Sequence, residues 1–196
     1  MRVFHIANTC STRVLWTLEE IGRPYEVIRL TGEQKRGDEH RRRHPLGRVP
    51  VVELDDGTLL FESAAICLHL ADAHPEAGLT PAAGSTARGL VYQWVVFGMT
   101  EVEPAVFPWL RAHRADEDET PHIEKFAPVA DTLSDSVARH GWIAGESFTV
   151  ADIVLASMLR NPTRLGLLAG VPLLAAYVER ALGRPANRRA DAIDET

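Results

Sequence analysis

The chain has 196 residues, 45% hydrophobic and 24% charged, which suits one domain of ordinary size or two small ones and excludes disordered or collagen-like chains. Its formal charge of −6, from 21 basic and 27 acidic residues, argues against a general nucleic-acid binder. The longest uncharged apolar stretches, such as Gly89–Thr100, fall well short of the roughly 20 residues that span a bilayer, so no membrane role is expected.

Met1–Asn8 lacks the apolar region of a secretion signal, and Arg2–Ile6 within it is a strand candidate ending in the polar turn Ala7–Ser11. Val14, Leu15, Leu18 and Ile21 then recur at helical spacing, with Gly22 closing the run. Tyr25–Leu30 reads as a second strand. The charged stretch Thr31–His44 is predicted to be a loop with a weak helix, its run His40-Arg41-Arg42-Arg43-His44 forming a solvated face. Val49–Leu54 and Thr58–Phe61 flank Asp55-Asp56-Gly57, whose Asp-Gly pair signals a hairpin, and Ser63–Ala73 follows as a helix. The order is β-α-β-α-β-β-α.

His74–Ser85, rich in Pro, Gly, Ala and Thr, reads as a linker, and no convincing strand lies beyond it. Arg88–His113 carries a long helical pattern, expected to bend or break near Pro104 and Pro108. Its aromatics Trp94, Phe97, Phe107 and Trp109 read as core or interface. An acidic loop, Ala115–Pro121, precedes an amphipathic helix over Ile123–His140. Thr149–Arg160 and Leu173–Leu182 read as two more helices, and the polar tail from Asn187 is expected to fray. Thr149 and Asp152 have the spacing of a capping box, and Phe148 and Ile153 that of a hydrophobic staple, which are signals of folding rather than catalysis.

Four places carry possible chemistry. The turn Asn8-Thr9-Cys10-Ser11-Thr12-Arg13 sets thiol and hydroxyl groups where a helix begins, and the free N–H groups there favour an anion such as a thiolate. The plainer alternative is that Ser11 or Thr12 caps the helix and Cys10 is inert. In Arg48-Val49-Pro50-Val51 a cis Val49–Pro50 bond would expose the Val49 backbone to an extended peptide, although base rates favour trans. Glu62 with Ser63 as a helix N-cap would suit the ammonium and carboxylate of an amino-acid head group. Cys67, between Ile66 and Leu68, reads as core. With only two cysteines in the chain and no Cys/His set at zinc-ligand spacing, neither a disulfide framework nor a metal is expected, and the compartment is predicted to be the reducing cytoplasm.

Together these segments resemble a cytosolic-type glutathione transferase over nearly the whole chain, bacterial-like and closest to cysteine-type members. The match runs through Cys10-Ser11-Thr12-Arg13, Leu18-Glu19-Glu20-Ile21-Gly22, Pro24-Tyr25-Glu26, Pro45-Leu46-Gly47-Arg48-Val49-Pro50, Glu62-Ser63-Ala64-Ala65-Ile66 and Phe148-Thr149-Val150-Ala151-Asp152. The resemblance implies an α/β thioredoxin-like domain over residues 1–76 that binds glutathione. It also implies an all-α domain over residues 85–196 with the second-substrate pocket, a cytoplasmic homodimer and a cis Pro50. Carried over, Val49 pairs its backbone with the cysteinyl unit of glutathione, Glu62 and Ser63 hold the γ-glutamyl head, and Arg48 approaches the glycine carboxylate. For the thiol the ranking is Cys10 first, then Thr9, Ser11 and Asn8. Phe4 and His5 stand where tyrosine-type enzymes carry their Tyr, and Asn8 where serine-type enzymes carry their Ser.

The implied activity is a detoxifying transferase that joins glutathione, as co-substrate, to a small hydrophobic electrophile, or reduces mixed disulfides or peroxides through Cys10. The alternatives are a non-catalytic protein-interaction module on the same fold and a glutathione-dependent isomerase.

Overall fold

The computed structural model describes residues 1–194 and divides into two compact units. Unit 1 comprises Met1–Gly78 together with the chain from Arg184, and unit 2 is Leu79–Gly183. Unit 1 begins with β1 (Arg2–His5), α1 (Thr12–Ile21), β2 (Glu26–Arg29), α2 (Gly32–Arg36), α3 (Asp38–Arg41), β3 (Val51–Glu53), β4 (Leu59–Phe61) and α4 (Ser63–Ala73). The sheet order is β2-β1-β3-β4; β1 and β2 run parallel, and β3 is antiparallel to both β1 and β4. This is the predicted β-α-β-α-β-β-α order of a thioredoxin-like domain. Both faces of the central strands are buried: Val3 pairs with Val52 on one face and Phe4 with Val51 on the other, while Val14, Leu15 and Leu18 of α1 and Ile66, Cys67 and Leu70 of α4 are buried with them in unit 1.

The charged stretch after β2 holds more helix than expected. Thr31 Oγ1 accepts the Gln34 N–H at 3.1 Å and Gln34 Oε1 accepts the Thr31 N–H at 2.8 Å, a reciprocal cap that starts α2.

Unit 2 is helical: α5 (Thr86–Phe97), a π-helical turn (Gly98–Val102), α6 (Glu103–Ala115), α7 (Thr120–His140), α8 (Val150–Arg164) and α9 (Pro172–Leu182). The expected interruption of the long helical pattern falls one turn before Pro104. Proline has no N–H and its ring crowds the carbonyl four residues back. The turn widens there, and the Glu103 N–H reaches back five residues to the Gly98 carbonyl. Gly98 also lies close to α8, since a Cβ on it would meet Leu155 Cδ2 at 3.0 Å.

At the start of α8 the buried Asp152 Oδ2 accepts the Thr149 N–H at 2.8 Å, as the capping box requires. Its other oxygen takes the Ile143 N–H and the Tyr177 hydroxyl, each at 2.9 Å. Burial pushes the Asp152 carboxyl above its usual range against these donors. Phe148, assigned to a staple, packs edge-on against Trp142 with ring centroids 5.0 Å apart.

The tail is where the sequence reading needs correction. From Asn187 it was expected to fray, yet α10 (Pro185–Asp194) is a helix packed against α1. Ala186 and Ala190 are buried, while Arg184 Nε meets Glu20 Oε1 and Arg189 Nε meets Glu19 Oε2, each at 2.6 Å. The buried side chains are small, so the outward polar residues dominate the sequence and hide the docking face. In consequence the described end of the predicted 85–196 domain belongs to unit 1.

Candidate functional site

The strand register gathers the candidate residues of unit 1 at one end of the sheet. Phe4 pairs with Val51, and Val51 with Phe61. Past this last pair, Val49–Pro50 precedes β3 and Glu62-Ser63 follows β4, so both stretches lie at the same end of the sheet. The same end holds the last residue of β1, His5, and the turn that leads into α1. Two helices, α1 and α4, therefore begin there, with the positive ends of their dipoles near one another.

The Val49–Pro50 bond is cis, as the family resemblance implied and base rates did not. Two features hold the approach to it. Gly47 has φ +58°, and a Cβ there would lie 2.9 Å from the Lys35 carbonyl oxygen, so the position requires glycine. The buried His40 Nε2–H donates to the Arg48 carbonyl at 2.8 Å, fixing the backbone just before Val49 while the Arg48 side chain stays exposed. His40 belongs to the run that read as a solvated face.

Glu62 is exposed and holds φ +69° and ψ 106°, a conformation that side chains rarely adopt and that costs on the order of 1–3 kcal/mol. It is the N-cap of α4 but makes no capping bond through its side chain, and Ser63 is the first helical residue rather than the predicted cap. The carboxylate is thus left facing outward beside the start of a helix.

The thiol-bearing turn is tied down by groups that the sequence reading did not assign. Asn8 has φ +57°, which Asn tolerates better than most residues. Thr9 Oγ1 donates to the Ile6 carbonyl at 2.7 Å and lies 2.7 Å from Ser11 Oγ. Ser11 occupies the N-cap of α1, but its hydroxyl makes no cap bond; it is fully buried and 2.8 Å from His5 Nδ1. The other ring nitrogen, Nε2, lies 3.2 Å from Asp194 Oδ1. Asp194 also accepts the Thr12 hydroxyl at 2.7 Å and the Asn8 N–H at 3.0 Å. Burial raises the Asp194 carboxyl, but the bonds from His5, Thr12 and Asn8 outweigh it and bring it below the usual range. His5 was noticed only as the residue in place of a tyrosine; the signal for a role was a histidine at a strand position that the pattern buries. Asp194 lay in the supposedly frayed tail.

The cysteines differ sharply. Cys10 is half-buried at the turn, whereas Cys67 is fully buried, its thiol pushed up to about 11 by burial and 3.6 Å from the Arg13 carbonyl. In unit 2, Trp94 and Trp109 are core, as expected. Phe97 lines a groove of about 540 Å³ with Gln93, Val96, Thr100, Pro128 and Thr132, and Phe107 is partly exposed.

A thioredoxin-like sheet with a cis proline at the head of β3, followed by a unit built of helices, is the architecture of glutathione transferases. Residues 9–73 match the family profile described as Glutathione S-transferase, N-terminal domain, and residues 98–185 match Glutathione S-transferase, C-terminal domain. The chain is 30% identical over 189 residues to Glutathione S-transferase GstA of Escherichia coli O157:H7, covering 94% of each. Among solved structures, a sphingomonad glutathione S-transferase complexed with glutathione is 30% identical, with a TM-score of 0.86 over 100% of this chain and 99% of that one. A ternary complex of BphK, a bacterial GST, is 26% identical, with a TM-score of 0.89 over 100% of both chains. The chain belongs to the glutathione S-transferase family.

Proposed function

We propose that this protein is a glutathione-dependent transferase that binds glutathione at the end of the unit 1 sheet and handles its thiol at the Cys10 turn. The observation that carries the reading is the convergence of three features there: the cis Val49–Pro50 unit, the outward Glu62 at φ +69° beside the start of α4, and the turn ahead of α1. In this reading the Val49 N–H and carbonyl pair with the cysteinyl unit. Glu62 takes the γ-glutamyl ammonium, Ser63 and the α4 amides take its carboxylate, and Arg48 approaches the glycine carboxylate. The likeness to a sphingomonad transferase complexed with glutathione supports the ligand.

Two chemistries use this arrangement. In conjugation the glutathione thiolate attacks a small hydrophobic electrophile, forming a C–S bond and expelling a leaving group or protonating the adduct. In disulfide reduction the Cys10 thiolate attacks the glutathione sulfur of a mixed disulfide. A Cys10–glutathione disulfide forms, the other thiolate leaves, and a second glutathione then releases oxidised glutathione and regenerates Cys10. The half-buried Cys10 at the opening of α1 favours the second, with Thr9 and Ser11 as supporting hydroxyls. A cytoplasmic homodimer, with the second substrate over the helical unit, goes with this reading.

The test is calorimetric titration with glutathione. Glu62→Ala and Ser63→Ala should each weaken binding by about 1–3 kcal/mol, the range for losing a charged or buried hydrogen bond. Two variants that bind like the parent would overturn the site.

A further inference from the structure

We infer that Asp194, on the last turn of α10, is a positioning residue for the thiol-handling turn, so that the reaction depends on a carboxylate 184 residues away from Cys10 in sequence. The inference rests on the proposed function for its catalytic consequence but on geometry alone for its structural one. The Asp194 carboxylate reaches both ends of the turn at once: Oδ2 accepts the Asn8 N–H at 3.0 Å, and Oδ1 accepts the Thr12 hydroxyl at 2.7 Å. Cys10 is midway between these anchors. A single group that bonds both ends of a five-residue turn removes most of its freedom to hinge.

The same oxygen orients a second arm. Oδ1 also lies 3.2 Å from His5 Nε2, within ion-pair distance of the buried ring. The other ring nitrogen, Nδ1, is hydrogen-bonded to the Ser11 hydroxyl at 2.8 Å. Thr9 spends its one hydroxyl proton on the Ile6 carbonyl, so the Ser11 hydroxyl donates to Thr9 Oγ1, 2.7 Å away, and accepts from His5 Nδ1–H. The order Asp194, His5, Ser11, Thr9 therefore fixes the residues on either side of Cys10. Ser11 is fully buried, so this chain is a brace and not a nucleophile with its base. Asn8 is held at φ +57°, a conformation that the Asp194 bond to its N–H helps to retain. Positioning at this level is what catalysis is sensitive to, because displacements of about 1 Å can cost on the order of 100-fold in rate.

The test compares Asp194→Asn and Asp194→Ala with Arg189→Ala, which removes another contact of α10, the pair to Glu19 of α1, and leaves the turn's bonds intact. Four quantities are measured: amide hydrogen exchange at Asn8, melting temperature, and kcat and KM with glutathione plus the mixed disulfide of glutathione and mercaptoethanol. Asparagine has one acceptor oxygen where two are needed and no charge, so Asp194→Asn should melt somewhat below the parent, stay folded at the assay temperature, and lose about fivefold in kcat. Asp194→Ala should lose at least tenfold and speed Asn8 exchange by at least tenfold. KM for glutathione should stay within twofold in both, since Glu62 and Ser63 are untouched. Asn8 exchange and kcat at parental values in folded Asp194 variants would overturn the proposal, as would an equal kcat loss in Arg189→Ala. If Asp194→Ala fails to fold, Asp194→Asn decides. A parent with no glutathione-dependent turnover would refute the proposed function instead, and Asn8 exchange would still decide whether Asp194 holds the turn.

Discussion

Two thiols in one chain offer an internal control on reactivity. Cys67 is fully buried and titrates near 11, so an alkylating reagent meets neither an accessible sulfur nor a thiolate. Brief iodoacetamide treatment followed by mass spectrometry should label Cys10 and leave Cys67 unlabelled until the protein is unfolded. The chemistry at Cys10 separates by substitution. Cys10→Ala should abolish mixed-disulfide reduction, because no neighbouring side chain in the turn can form a disulfide. Cys10→Ser should also lose reduction but keep conjugation if the thiol only donates a hydrogen bond, since a hydroxyl donates at least as well. An alanine variant that still reduces mixed disulfides would remove Cys10 from the mechanism. At this scale the sequence revealed residues whose surroundings are local. Pro50 after Val49 and Glu62 before a helix announce themselves within a few positions. Ser11 did not, because a serine ahead of a helix reads as its cap, whereas its hydroxyl bonds a histidine on β1. Spacing alone cannot show that choice of partner.

Elements are where local signals and tertiary packing meet, and the start of α8 shows how far each reaches. The capping box was legible from Thr149 and Asp152, yet the same carboxylate also serves Ile143 nine residues before it and Tyr177 twenty-five residues after it. Replacing Asp152 by Ala strands two backbone N–H groups and a phenol in the interior. The loss should therefore exceed the roughly 1 kcal/mol of a cap and reach about 3 kcal/mol or more. Urea unfolding checks this, and calorimetry on the folded fraction should find glutathione affinity unchanged because the carboxylate is in the other unit. A drop of only about 1 kcal/mol would mean that water or a shifted side chain satisfies those donors. The π-helical turn was legible only as a break, because Pro104 announces a disturbance but not how the preceding turn absorbs it.

On the scale of the whole molecule, the Asp194 carboxyl couples the end of the chain to acidity. Its folded-state titration lies below the usual range, so the unfolded chain binds the proton more readily. The stabilisation is therefore complete above about pH 4, where an unfolded aspartate is ionised, and is lost as pH falls through the lower folded value. The difference in urea midpoint between the parent and Asp194→Asn should be full at pH 7 and shrink below pH 4; a difference independent of pH would mean that shape, not charge, makes the contact. The two-unit plan and the order of strands and helices along the chain were legible because hydrophobic period changes between the halves. The return of α10 was not, since a helix that docks through two alanines, Asn187 and Asp194 leaves almost no apolar pattern. That return has a consequence for how the protein is made. Residues 8–12 leave the ribosome before any of unit 2, but the carboxylate that fastens them follows only after all of unit 2 has been synthesised. A nascent chain can shape the sheet and α1 early while the turn that carries Cys10 stays unfastened. The turn that carries Cys10 is begun before unit 2 and completed after it.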